Sequence, residues 1–594
     1  MSSFYGIFYR NSKQVSQEEA QKMQQTFDWW KPDESDFVIQ DNILIGQATL
    51  YNTPESKYEH LPLKKANYIL AMDARIDNRE ELAKELELPD KPLQEIGDSE
   101  FILASYHKWG KECADKLLGD FAFVIWDEAK QELFCARDFI GVRPFYYYVD
   151  DEKFIFGSDL KALSQHHDIP LDIRDESVAN YIVNQKLTDR KHTFFKSVCK
   201  LEDGCYMSIS KNSYDSTRYW HPNRVKKRKL PNEQAYIDEL RKLLEDSVKA
   251  RLRTEYNVAS HLSGGLDSSP IAVLASREIK KQKPNYRLPV YSWQPEPTKD
   301  DDLNHHEWAY AIEVAKQEDM KLTFSTLDTD TIYKKIQTKD LYIDQDSLLW
   351  YEIPIREELK KQNVRVMLSG WGGDEFVTNH GYAFYTQMLL QGRWIRFYKE
   401  LKYKIKKRNM TLKQIVKFLY TRVFIPILPT KYYCYMPKIK CKEPDWSMYD
   451  KSLIPLLQSA YKQKTHIFSR YTSITTKADI IRAWENGHVQ FRANSWSQEA
   501  LSYKTQYTFP LLDKRLVELS FSLPIKGMVH KGYDRYMYRK AIEDLVSPLL
   551  LWGVHKNESK RATTLQKMLF SIYSKLDNTM EEEKIYQYFH LLKL

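Results

Sequence analysis

Ser260–Ser269, SHLSGGLDSS, puts two adjacent glycines, several hydroxyls and one carboxylate into a single turn. Gly264 and Gly265 carry no Cβ, so their backbone can approach a ligand closely. Backbone N–H groups at the start of a helix favour an anion. The hydroxyls of Ser263, Ser268 and Ser269 add donors. Asp267 offers the kind of oxygen ligand that Mg²⁺ takes when it is shared with phosphate. No Walker-type GxxxxGK(S/T) pattern occurs. A second stretch, Ser369–Glu375, SGWGGDE, sets Asp374 and Glu375 behind Gly370, Gly372 and Gly373. Its Trp371 can neither take up a proton nor grip a metal, because an indole only donates.

Both stretches need elements to position them. Each follows an apolar run, NVASHLS before the first and VRVMLSG before the second, which reads as a strand. SSPIAVLASREIKK then has helical spacing, LPVYSW reads as another strand, and IREELKKQN as a helix. Strand–turn–helix units in succession predict a doubly wound parallel sheet. Residues 1–220 mix short strands with helical patches and predict an α/β domain rich in antiparallel strands. The basic, turn-rich stretch 221–234 is the expected linker, and 235–594 the second domain, with a helical, basic insertion over about 385–480.

A length of 594 residues exceeds one core, so more than one domain is expected. The net charge of +8 does not call for nucleic acid. Its excess is local: residues 391–420 hold ten Lys/Arg against one acid, Glu400. That run fits a solvated helix face, or a surface for an acidic leader peptide, a partner protein or a membrane. The six cysteines form no CxxC or zinc spacing, as in reduced cytoplasmic proteins. The N-terminus does not read as a signal peptide, and no run is long enough for a transmembrane segment.

SGGxDSS resembles the pyrophosphate loop of ATP-pyrophosphatases. LSGWGGDE, AMDARIDNREEL, GDSEFIL, GDFAFVIWD, ARDFIGVRPFYYY, FGSDLKAL, FPLLDKRLVELSFSLP and DRYMYRKA extend the likeness to the asparagine synthetase family over nearly the whole chain. The resemblance implies an α/β protein: a class II amidotransferase-like (Ntn) sandwich followed by a doubly wound ATP-pyrophosphatase domain with helical additions. It implies ATP and Mg²⁺, with Asp267 and Asp374 as metal ligands and Lys556, in LWGVHKNES, opposing developing charge. Nucleotide contacts fall on Leu262, Ser263, Gly264, Gly265, Ser268, Ser269, Tyr291, Ser292, Trp293, Ser369 and Gly370. The substrate pocket falls on Trp371, Gly372, Gly373 and Glu375, and Glu307 stands where the family's helix offers an acid.

Two departures narrow the reading. Glutamine-dependent members use an N-terminal cysteine, whose own amine serves as base. Aligning Gly6-Ile7 with the family's Cys-Gly-Ile puts Tyr5 at that position, with Ser2 the alternative. Arg75, Asp77, Asn78 and Asp98 would then serve structure or a new partner surface. The slot of Trp371 holds glutamate in asparagine synthetases and tyrosine in β-lactam synthetases, and a Trp there resembles lasso-peptide cyclases. These join an Asp or Glu side chain of a precursor peptide to that peptide's N-terminal amine. The expected partners are the precursor peptide, a leader peptidase and a leader-recognition protein. An ammonia-dependent or β-lactam-synthetase-like amide ligase, and a degenerate peptide-binding scaffold, stay open. Gln506 and Thr508 stand where the family often has Glu and Arg, leaving Glu499 or His380 as stand-ins for the missing base.

Overall fold

The computed structural model describes residues 2–184, 187–293, 296–297, 307–325, 330–331, 334, 352–429, 446, 451–467 and 473–553. Strand Ser3–Tyr9 is buried along its whole length. Strands buried on both faces read as continuous apolar runs rather than alternating ones, and SFYGIFY and GDFAFVIWD do so here. Ser3–Tyr9 lies between Ile43–Thr49 and Lys153–Gly157, antiparallel to both, in a six-stranded sheet. A second six-stranded sheet centres on Gly119–Asp127, which pairs antiparallel with Tyr68–Ile76 and Glu132–Arg137. Phe4, Phe8 and Ile45 of the first sheet pack against Ile69, Val124 and Trp126 of the second. Helix Asp98–Trp109 covers the second sheet's other face through Phe101, Ile102 and Tyr106. The result is the expected α/β sandwich.

The second domain holds a five-stranded sheet in which every pair is parallel. Its order runs Lys321–Phe324, Pro289–Ser292, Asn257–His261, Val364–Leu368, Gln506–Thr508. The chain starts in the middle, builds outward to one edge, then returns to build the other. Asn257–His261 and Val364–Leu368 therefore flank the switch point, where open α/β sheets bind ligands beyond the carboxyl ends of their strands. Both motif loops leave those two ends.

Arginines join the domains. Helix Glu233–Arg251 ends with Arg251 between Asp77, at 2.5 Å, and Asp120, at 3.1 Å. Arg253 reaches Asp98 at 2.9 Å and Glu55 at 3.0 Å. Asp77 and Asp98 thus take the structural role expected of them, and Arg75 donates to the carbonyl of Ala250. Asn78 holds its own domain, donating to the Lys116 carbonyl and accepting from the Leu118 N–H.

Candidate active site

Glycine brings the two loops together. A Cβ on Gly370 would lie 2.7 Å from the backbone nitrogen of Ser268, and one on Gly373 2.9 Å from Cγ of Asp267. Gly264 has φ +74°, and a Cβ there would strike the Glu307 carbonyl at 2.3 Å. Glu307, at the start of helix Glu307–Gln317, thus meets the loop through its backbone. Within the loop the Ser263 N–H donates to Ser268 Oγ at 3.1 Å, and the Gly265 N–H to Ser263 Oγ at 3.3 Å.

Asp267 immediately precedes helix Ser268–Gln282, makes no side-chain capping bond to it, and faces Asp374 across the junction. Arg535 sits between them: Nη2 donates to Asp374 Oδ1, and Nη1 lies 3.6 Å from Asp267 Oδ1. His380 Nε2 is 3.4 Å from Asp374 Oδ1, and its Nδ1 is 3.6 Å from Asp534 Oδ2. Burial, then the charge of Asp374, pushes the Asp267 carboxyl up to about 6. Burial opposes ionisation of Asp374 too, but the His380 hydrogen bond and Arg535 outweigh it and hold that carboxyl well down. Glu375 is pushed up to about 7 by burial and by Asp374.

This donor set fits a hard divalent cation. Asp267 Oδ1 is buried and accepts no hydrogen bond among the described residues. No cluster of three or more His, Cys, Asp or Glu forms a metal cage among them. Mg²⁺ needs none, since it takes one or two carboxylates and completes its shell with water and phosphate oxygens.

Trp371 is half-buried and leans on helix His488–Ala500. Its ring meets His488 edge-on at 4.9 Å and Trp496 at 5.7 Å, and the Arg492 guanidinium lies 4.1 Å above it. Trp496 continues the layer to Tyr507 at 5.7 Å, Phe509 at 5.4 Å and Trp293 at 6.0 Å. Beneath it the buried carboxylate of Glu352 accepts from the Trp293 indole and from Tyr507 Oη at 2.6 Å, and sits 2.7 Å from His261 Nε2. The same helix reaches the first domain: Arg137 Nη2 donates to Asn494 Oδ1 at 2.9 Å, and Gln498 Nε2 to the Ser158 carbonyl at 2.7 Å. Sequence reasoning passed over His488, Arg492, Trp496, Glu352 and Arg535. The first three recur every four residues, the spacing of one helical face.

Several expectations need correction. Tyr5 is fully enclosed, stacked on Phe27 at 4.6 Å, and burial raises its phenol far above the usual range. Its strand runs inside the sandwich, so it cannot face a cavity. Ser2 does: with Asp73, Arg75, Asp98 and Gln506 it lines a pocket where the domains meet. The Ser2 N–H donates to Asp73 Oδ1 at 3.2 Å. Among the described residues, no cysteine lines that pocket. The N–H of Leu262 donates to the carbonyl of Tyr291 at 2.8 Å, which commits that N–H to the sheet. The Ser292 carbonyl accepts from the Ser325 N–H at 2.8 Å, and Ser269 is fully buried. Glu499 is bound to Arg356, and His380 lies between Asp374 and Asp534, whose hydrogen bonds raise its pKa against the opposing effect of burial. Gln506 accepts from Asn52 of the first domain, and Thr508 is buried in the sheet. Lys556 lies outside the described residues.

The sequence pattern of the glutamine amidotransferase domain matches residues 1–220. That of asparagine synthase matches residues 239–584. The chain is 25% identical over 566 residues to glutamine-hydrolyzing asparagine synthetase 3 of Bacillus subtilis, covering 91% of this chain and 84% of that protein. It is 26% identical over 516 residues to a glutamine-hydrolyzing asparagine synthetase, so described provisionally, of Mycobacterium bovis, covering 82% and 75%. The loops at the switch point and these matches agree: the chain belongs to the asparagine synthase family, whose members are ATP-dependent ligases that form carbon–nitrogen bonds.

Proposed function

We propose that this chain is a lasso-peptide macrolactam synthetase. It activates an Asp or Glu side-chain carboxylate of a precursor peptide as its AMP anhydride, releasing pyrophosphate. The peptide's own N-terminal amine then attacks the acyl carbon, forming the isopeptide bond and releasing AMP and a proton. Mg²⁺-ATP supplies the activation; Asp267 and Asp374 would hold the metal, with the loop at Ser263–Ser268 against the phosphates.

The observation that carries this reading is Trp371. An indole there accepts no proton, and its face is fixed by Arg492, His488 and Trp496. Such a broad aromatic surface suits packing against a peptide better than against ammonia. Among the described residues, no thiol lines the pocket at Ser2 to release ammonia from glutamine. A free peptide loses conformational entropy on closing a ring, and a surface that holds it folded turns closure into a near-attack geometry. A leader peptidase and a leader-recognition protein would supply the core peptide. The second reading, an ammonia-dependent asparagine synthetase, is favoured by the names of the relatives.

The test is to incubate the full chain with Mg²⁺-ATP and core peptides bearing an internal Asp or Glu. A parallel reaction holds aspartate and ammonium. Peptide losing one water, with AMP formed, supports the proposal. AMP formed with aspartate and ammonium, undiminished by Trp371→Ala, overturns it.

A further inference from the structure

The basic run noted in the sequence folds into helix Trp394–Lys407, then Leu412–Leu419, a π-helical turn Tyr420–Phe424 and a last turn Ile425–Ile427. Phe397, Leu401, Phe418, Leu419 and Val423 pack inward against Phe384, Tyr385 and Met388. The outward side is not polar, as a solvated face would be. Ile395 and Leu412 are each 76% exposed, Trp394 68%, Val416 58% and Phe424 57%. Arg393, Lys399, Lys402, Lys406, Arg408, Lys413 and Lys417 are exposed beside them. None forms an ion pair among the described residues. The segment's single acid, Glu400, is buried and accepts from the Gly532 N–H at 2.9 Å, so Trp394–Ile427 itself presents no carboxylate outward.

We propose that this outward side of Trp394–Ile427 docks on an anionic lipid surface. Apolar and aromatic side chains on convex helices, rimmed by lysines and free of acids, fit the boundary between headgroups and acyl chains. Lysine stems lie along apolar surface while their charges reach phosphate. An acidic peptide would match the charge, but these apolar side chains project outward, and none of them lines the pocket that Gln391 and Arg393 share with Phe521 and Leu523. Among the described residues no helix is long and apolar enough to cross a membrane, so attachment is from one side. Helix Trp394–Lys407 meets the active-site hairpin on its inward side, away from this surface. A Cβ on Gly532 would lie 2.8 Å from the backbone nitrogen of Lys404, and the hairpin Val529–Asp534 leads directly into Arg535. Docking would bring the ligase site close to the membrane, whichever carboxylate it activates.

The full chain is sedimented with vesicles of phosphatidylcholine alone and of phosphatidylcholine with phosphatidylglycerol. Binding to the anionic vesicles is expected, weakening with salt. Each of Lys413→Gln and Lys417→Gln is expected to weaken it about fivefold. Leu412→Ser with Val416→Ser and Phe424→Ser weakens it about a hundredfold. All five positions are exposed, and an unchanged melting temperature verifies the fold. No binding to anionic vesicles, or equal binding by the triple variant, overturns the proposal. So does a dimer that the triple variant dissociates, or capture of a soluble polyglutamate in place of vesicles.

Discussion

Substituting Gly370 by alanine tests the juxtaposition on which the site depends. The new Cβ would lie 2.7 Å from the Ser268 nitrogen, 2.8 Å from the Asp267 carbonyl carbon and 3.0 Å from the Ser268 Cα. Non-bonded heavy atoms sit best at about 3.5–4.0 Å, so the loops must part by about 0.7 Å. All three obstacles are backbone, and no rotamer change relieves them. Gly370 does not have a positive φ, so alanine adds no backbone strain and the effect is steric alone. Overpacking of this kind costs about 1–3 kcal/mol. A shift approaching ~1 Å at a reacting centre lowers turnover by about a hundredfold. The assay is AMP and pyrophosphate formation, with calorimetric binding of Mg²⁺-ATP and circular dichroism to verify folding. A folded Gly370→Ala protein with unchanged ATP affinity and unchanged turnover would refute the contact between the loops.

The domain junction gives a second expectation. Arg251→Ala leaves Asp120 buried without its partner and removes one of two from Asp77, and should cost about 3–5 kcal/mol in denaturant unfolding. Adding Asp120→Asn should recover much of that, and no recovery would speak against the ion pair as the cause. The site's titration gives a third. Asp267 is held at about 6 and must lose its proton to bind a cation, so Mg²⁺ affinity should rise with pH up to that value and level off above it. Calorimetry at about pH 5 should show roughly tenfold weaker binding than at about pH 7. A flat profile would refute the raised pKa of Asp267 as a control on cation binding.

Much of this was legible along the chain because the signals were local. Strand, glycine turn and helix follow one another within Asn257–Gln282, and each leaves its own mark on the sequence. The strands of the first domain were legible for a similar reason, since strands buried on both faces are apolar throughout, whereas their arrangement as a sandwich followed from the family resemblance. The position of Tyr5 was not. Gly6 looked like the anchor of a motif, whereas a Cβ there would meet the Leu44 carbonyl at 2.2 Å. It is a close-packing glycine inside a sheet, and the pocket lies four residues earlier, at Ser2.

The rest was hidden by distance in the chain or by the helix that supplies it. Arg535 stands 161 residues from the aspartate it binds, and nothing in DRYMYRKA marks it as a counter-charge rather than a surface arginine. Helix His488–Ala500 is buried on every side, so it lacks the polar stripe by which a surface helix is recognised. Its polar residues are inside because they have partners there: Asn494 and Gln498 in the first domain, Glu499 on Arg356, Arg492 over Trp371. One helix thereby fixes both the domain junction and the packing behind Trp371. A change at that junction should therefore be felt at Trp371 through a single rigid element, with no rearrangement of the parallel sheet required.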